Sequence, residues 1–289
     1  MNGLGVPLAT PFDDAGDVDH DALATLVTWV TDRDVDFLVP CGSTSESELL
    51  TADERAAVVG TVVDAAPADV PVLAGTGSPG LRETLEATER AADAGADGAL
   101  VVTPFYYDHD EADVAAYYQE VADASPLPVY LYSVPAYTGH TLEPETVASL
   151  APHPNVAGMK DTTGDLGSFQ RIRAATAGEA FDLFVGSGSV LAPALDAGAD
   201  GGVLALANVA PERAAEIVER HAAGDDDAAR AVNRDVVELD YAVTARYGVP
   251  GLKAAMRSRG VPAGTVRSPH RPVDDDAVAV LEALVEDAL

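Results

Sequence analysis

"VPVLAGTGSPGLRETLEATERAADAGADGALVVTP", residues 70–104, carries one complete structural unit in its pattern. An apolar, β-branched run (70–77) stops in a cluster of Gly, Ser and Pro. A stretch with helical spacing (81–96) follows and ends at Gly95, a good C-terminal stop. A second apolar run (97–104) then ends in Thr103 and Pro104. Both runs are continuously apolar rather than alternating. That suits parallel strands buried on both faces, which need a helix to cross between them.

The unit repeats along the chain. Further runs are "GLGVPLATPF" (3–12), "DFLVPCGST" (36–44), "LPVYLYSVP" (127–135), "NVAGMKDTT" (155–163), "FDLFVGSG" (181–188) and "DGGVLALAN" (200–208), eight in all. Helix patterns lie between them. Residues 19–34 open with an Asp cap, and residues 51–66 open with Thr51 and Glu54 in capping-box spacing. Residues 111–125, 143–151 and 164–177 continue the alternation. Strand then helix, repeated in this way, predicts an α/β fold, a (β/α)8 TIM barrel, over 1–222. A doubly wound open sheet uses the same local units and is the alternative. No strand is expected after the eighth. Residues 211–223, 226–245, 248–260 and 274–288 read as helices, so 223–289 is expected to be a C-terminal helical extension packed on the barrel.

Composition narrows the function. The 289 residues include 48 acidic and 17 basic side chains, for a formal net charge of −31. Nucleic acid and anionic membrane would both repel such a chain, so neither is an expected partner. With 47% hydrophobic residues, the chain is too apolar for disorder. The charge fits a cytoplasm of molar salt, where a Debye length of roughly 3 Å screens acidic self-repulsion. A single cysteine, Cys41, rules out an intrachain disulfide framework. The start "MNGLGVPLATPF" lacks a basic region of the kind that opens a signal peptide, and no apolar run reaches about 18 residues. A cytoplasmic setting is expected.

Only two lysines, Lys160 and Lys253, stand among those acids. Active sites of such barrels gather at the C-terminal ends of the strands, and Lys160 ends the sixth. Its unperturbed pKa would be near 10.4. Burial there would lower it by disfavouring the charged form, and a neutral amine attacks carbonyls to form a Schiff base. Pairing with Asp161 or Asp165 is the other reading that position alone allows. The remaining strand ends supply Tyr132 on the fifth, Ser43, Thr44 and Ser45 on the second, and Tyr106 and Tyr107 on the fourth. Phenols and hydroxyls can move the protons that carbinolamine chemistry needs. Backbone N–H groups beside Ser43 and Thr44 could hold a carboxylate.

Six segments now stand in a telling order: "GVPLATPF", "CGSTSESELLTADER", "VTPFYY", "YLYSVPAYTG", "GMKDTTGD" and "GSGS…GADGGVLALANVAPE". Together they resemble the dihydrodipicolinate synthase and N-acetylneuraminate lyase superfamily of class I, pyruvate-dependent aldolases, over nearly the whole chain. The resemblance implies that Lys160 forms the Schiff base with pyruvate and that Tyr132 relays protons. It implies that Ser43 and Thr44 link Tyr132 to the substrate carboxylate and to Tyr106 of a neighbouring subunit. Gly186, Ser187 and Leu204 are expected to line the substrate site. A homotetramer of two dimers is implied, with small molecules as the only other partners and no metal or organic cofactor, because the protonated imine serves as the electron sink.

Two departures matter. The family motif Gly-Thr-Thr-Gly-Glu reads Gly42-Ser43-Thr44-Ser45-Glu46 here. Tyr137 stands where dihydrodipicolinate synthases carry an arginine that grips an acidic aldehyde bidentately. Tyrosine supplies no fixed charge. A neutral polyol aldehyde is therefore the expected second substrate, as in 2-keto-3-deoxygluconate-type aldolases. 4-Hydroxy-tetrahydrodipicolinate synthesis, a dehydratase working through the same imine, and a non-catalytic 2-oxo acid binder are the alternatives.

Other signals are weaker. "GTGSPG" (75–80) matches a dinucleotide fingerprint, but after the third strand and without the following acid, so a plain loop is expected. "GSGS" (186–189) is either a tight loop or a seat for a substrate tail, where many barrels bind phosphate. His109 among carboxylates lacks converging ligands for a metal. Lys253 reads as structural, and His140, His153, His221 and His270 carry no pattern.

Overall fold

The computed structural model describes all of residues 1–289. Eight parallel strands form its centre: β1 (Gly3–Pro7), β2 (Phe37–Val39), β3 (Leu73–Gly75), β4 (Gly98–Val102), β5 (Val129–Ser133), β6 (Val156–Asp161), β7 (Asp182–Val185) and β8 (Gly201–Val203). They run in the order β2-β1-β8-β7-β6-β5-β4-β3. A parallel bridge between Leu38 and Val72 joins the two ends and closes the (β/α)8 barrel. Each strand lies inside an apolar run foreseen from the sequence.

The helices are α1 (His20–Thr31), α2 (Ala52–Ala65), α3 (Leu81–Asp93), α4 (Glu111–Ala124), α5 (Pro135–Thr138), α6 (Pro144–Leu150), α7 (Leu166–Ala175), α8 (Leu191–Asp196), α9 (Pro211–Ala222), α10 (Asp226–Tyr241), α11 (Gly248–Ser258) and α12 (Asp275–Ala288). The capping signals act as read. Asp19 accepts from Ala22 N–H, and Thr51 and Glu54 bond reciprocally at 2.8 and 3.2 Å. Gly95 takes the left-handed conformation, φ +94°, past the end of α3. Two short helices escape the sequence reading. α5 is a single turn, and α8, "LAPALD", is too short to show a period.

Alternation along the strands splits the core into two layers. Phe37, Leu73, Leu100, Tyr130, Tyr132, Phe184 and Val203 fill the barrel. A larger cluster fills the space between strands and helices, and it includes Leu239, Val243, Leu252, Met256 and Leu281 of the C-terminal extension. The extension thus shares the barrel's outer core. Asn233 of α10 accepts from Ala192 N–H at 2.8 Å and donates to Gly188 C=O at 2.7 Å, fixing α10 beside the loop after β7. A π-helical turn, Ala242–Arg246, links α10 to α11 across the C-terminal mouth of the barrel. No helix is long and apolar enough to cross a membrane.

Candidate active site

Lys160 sits on β6 between Tyr132 of β5 and Phe184 of β7 in register. All three point inward. Lys160 is 4% exposed, and its Nζ lies 4.4 Å from the centroid of the Tyr132 ring. Neither acid that could have paired with it does so. Asp161 points to the other face, where its carboxylate accepts from Thr163 N–H and Oγ1–H, each at 2.9 Å. Asp165 caps α7, accepting from Gly167 N–H at 2.9 Å. Alone and desolvated, the Lys160 amine is pushed down from 10.5 to about 7. Near neutral pH a large share of it is the uncharged nucleophile.

The neighbours shape this amine. A side chain at Gly186 would place its Cβ 3.0 Å from Lys160 Cε and 2.1 Å from Thr162 Cγ2, so only glycine leaves the lysine room to turn. Burial pushes the Tyr132 phenol up to about 12, against a smaller opposing effect of its hydrogen bond with Ser43. It stays protonated and able to donate. Its Oη lies 3.3 Å from Ser43 Oγ. Ser43 and Thr44 open a single 3-10 turn directly after β2, and both line the cavity with Lys160. The departure at Ser45 finds its role here. Its buried hydroxyl donates to Leu8 C=O at 2.5 Å and accepts from Gly42 N–H at 3.2 Å, tying the turn to the end of β1.

The inner cavity of about 290 Å³ also takes Tyr137, Gly186, Ser187, Val203 and Ala205 into its wall. It shares Ser43, Tyr132 and Tyr137 with an outer cavity of about 770 Å³. Leu204 is a correction to the sequence reading. It is fully buried in the outer core, while Val203 and Ala205 on either side line the site, because successive residues of an extended strand face opposite ways. Tyr106 is not brought into the cavity of its own chain. It is 86% exposed with φ +81°, edge-on to Tyr107 at 5.0 Å.

Several residues of the mouth carried no sequence signal strong enough to find them. Glu46, Arg246 and His270 line the outer cavity. Arg246 is exposed, and no carboxylate pairs with it, in a chain where acids outnumber bases. Cys41 lines the same cavity, but burial pushes its thiol up to about 12 and removes it as a nucleophile. The "GSGS" loop divides. Gly186 and Ser187 face the cavity, whereas Ser189 N–H and Oγ–H both donate to Asp240, at 2.8 and 2.7 Å. A carboxylate therefore fills the seat that a phosphate would need. "GTGSPG" is a close-packed loop, in which a Cβ on Gly75 would come 2.1 Å from Cys41 C=O. His221, with Asp196 and Asp226, makes a cluster on α8, α9 and α10, and Arg230 already binds Asp196 at 2.7 Å.

An unpaired, desolvated lysine inside a (β/α)8 barrel, with a phenol and a hydroxyl in contact, defines a Schiff-base-forming aldolase. The comparisons agree. The model of the dihydrodipicolinate synthetase family matches residues 1–288. An uncharacterized DapA-like lyase of Halobacterium salinarum is 42% identical over 99% of this chain and 94% of its own length. A 4-hydroxy-tetrahydrodipicolinate synthase of Natronomonas pharaonis is 37% identical over 99% of this chain and 97% of its own. Among solved structures, the chloride-inhibited dihydrodipicolinate synthase of Acinetobacter baumannii, complexed with pyruvate, superposes with a TM-score of 0.96 at 30% identity, covering 100% of this chain and 99% of that one. YagE, a prophage protein of the same family from Escherichia coli K12, also complexed with pyruvate, gives 0.94 at 32% identity, covering 100% and 98%. The chain belongs to the dihydrodipicolinate synthetase family and is a class I, pyruvate-dependent aldolase.

Proposed function

We propose that the enzyme interconverts a 2-keto-3-deoxy sugar acid with pyruvate and a neutral, hydroxylated aldehyde. The Lys160 amine attacks C2 of the 2-oxo acid. Loss of water from the carbinolamine gives a protonated imine, with Tyr132 and its partner Ser43 carrying the protons. The C4 hydroxyl then gives up its proton, the C3–C4 bond breaks, and its electron pair enters the imine as an enamine. The aldehyde leaves. Protonation at C3 and hydrolysis release pyruvate and restore Lys160. The observation that carries this reading is the unpaired Lys160 amine in contact with Tyr132. The neutral aldehyde is favoured by Tyr137, which lines both cavities and brings no charge to the place of the family's arginine.

Borohydride reduction with pyruvate, followed by peptide mass mapping, tests the chemistry. With two lysines in the chain the adduct assigns cleanly, and it is expected on Lys160. Turnover with glyceraldehyde against aspartate semialdehyde tests the substrate, and faster turnover of the acidic aldehyde would overturn this reading. That second reading, 4-hydroxy-tetrahydrodipicolinate synthesis, draws support from Arg246, an exposed cation on the wall of the outer cavity.

The exposed Tyr106, held at a positive φ, is read as reaching the cavity of a neighbouring copy within a homotetramer. Sedimentation should give a tetramer, and Tyr106→Ala should lower turnover. The charge of −31 and the Halobacterium salinarum relative support a high-salt cytoplasm. The unfolding temperature should rise with KCl between about 0.1 and 1 M, over which the Debye length falls from about 10 to 3 Å. A fold indifferent to salt would remove that part of the reading.

A further inference from the structure

We propose that Glu46 and Lys253 are a positioning pair that holds the Ser43–Thr44 turn in register with Lys160 and Tyr132. Glu46 lies two residues past Thr44, at φ +56°, and is 3% exposed. Non-glycine residues pay a conformational penalty there and persist only where the surroundings hold them. Its carboxylate is met from three directions. Lys253 Nζ lies 2.6 Å from one oxygen, while Arg267 N–H at 3.1 Å and His270 Nδ1 at 2.9 Å reach the other. Lys253 is fully buried and spends its remaining donors on Thr10 C=O at 2.7 Å and Thr265 C=O at 2.6 Å, above the ring of Phe12.

These partners come from four separate parts of the chain: the segment after β1, the turn after β2, α11 and the C-terminal segment beyond it. Gly248, Val249 and Leu252 of α11 themselves line the inner cavity with Lys160. Arg267 clamps the C-terminal segment further, through Glu54 at 2.6 Å and Leu49 C=O at 2.9 Å. A buried ion pair is a poor means to stability, since two well-packed apolar side chains of the same volume often serve better. What the pair adds is direction. A compact ammonium sends its three donors out of one point in three dimensions, whereas a guanidinium holds its five donors in one plane. That accounts for a lysine at 253 in a chain that otherwise uses arginine for its strong bases, all but one of them.

The proposal rests on the reading that the Ser43 hydroxyl completes the proton relay of Tyr132. The extent of imine capture at equilibrium is set by the Lys160 amine, the relay changing only how fast it is reached, whereas the rate at which the pyruvate methyl protons exchange with solvent depends on the relay, so the two can be scored apart. Glu46→Gln keeps the shape and removes the charge. The double variant Glu46→Gln/Lys253→Met leaves no lone charge buried and is expected to fold where a single change fails. Borohydride should trap pyruvate on Lys160 to the wild-type extent in the double variant. Deuterium exchange into pyruvate and kcat for the aldol reaction should fall by up to about 10-fold, no more than loss of the Ser43–Tyr132 hydrogen bond itself costs, with KM moving less. Glu46→Gln combined with Ser43→Ala should lose no more than the larger single loss. A folded double variant that exchanges at the wild-type rate would overturn the pair's role, as would losses that multiply between Glu46 and Ser43. Failure of the wild-type enzyme to trap pyruvate on Lys160 would instead refute the underlying reading, and the proposal with it.

Discussion

The two lysines face the same problem, loss of solvent, and meet it in opposite ways. Lys160 has no counter-ion, and burial alone drives it down to about 7. Lys253 is desolvated as well, but Glu46 opposes the effect and it falls only to about 8. One site leaves an amine free to react. The other uses an ammonium to hold two backbone carbonyls and a carboxylate together. Placement of a carboxylate, rather than depth of burial, separates a nucleophile from a strut.

The sharpest way to break this contrast is to remove each lysine. Lys160→Met should cost at least about 10⁴-fold in kcat, the scale of losing an acting nucleophile, yet it should raise the unfolding temperature. The sign follows from linkage. Between about 7 and 10.5 the unfolded chain holds the Lys160 proton more tightly than the folded one, so stability rises with pH across that window. The penalty that Lys160 imposes is therefore complete below about pH 7 and gone above 10.5. Thermal scans of Lys160→Met and wild type should differ most in acid and converge as pH rises. Lys253→Met should do the reverse. It leaves the buried Glu46 carboxylate without its ammonium and one of its oxygens without a donor, which destabilises by about 3–5 kcal/mol, measurable by urea unfolding. A Lys253→Met variant as stable as Lys160→Met would end the contrast.

Smaller effects sharpen it. Tyr132→Phe should lower kcat by about 10²–10⁴-fold, the range for a general acid–base group, while pyruvate is still trapped on Lys160. The rate of trapping should climb with pH as the Lys160 amine deprotonates through about 7 and then level off; a climb that continues past pH 10 would mean that the amine is solvated. Ser43→Ala should cost least, up to about 10-fold, because a single neutral hydrogen bond contributes about 0.5–1.5 kcal/mol and the one to Tyr132 is long, at 3.3 Å.

Most of the barrel was legible because its signals are local. Continuous apolar runs, the Asp19 cap, the Thr51–Glu54 box and the stop at Gly95 each act within a few residues of where they are written. α5 and α8 were missed because one or two turns show no period. Lys160, Tyr132, Ser43 and Thr44 could be proposed as a group because strand ends of a barrel converge, whatever the loops do. Leu204 was misplaced by one residue, and in a strand one residue reverses the face.

The sequence by itself determined the eight strand–helix units, the rarity of lysine and the acids that isolate it, since all of these reside in composition and short-range spacing. Only the tertiary structure decided which lysine would be left without a counter-ion. Asp161 lies next to Lys160 in the chain yet faces away, because adjacent strand residues point to opposite sides. Glu46 lies more than two hundred residues from Lys253 and meets it at 2.6 Å, because closure of the barrel brings the turn after β2 against the C-terminal extension. Whether a charge is paired or bare is set by distance through space, and closing the barrel fixes that distance.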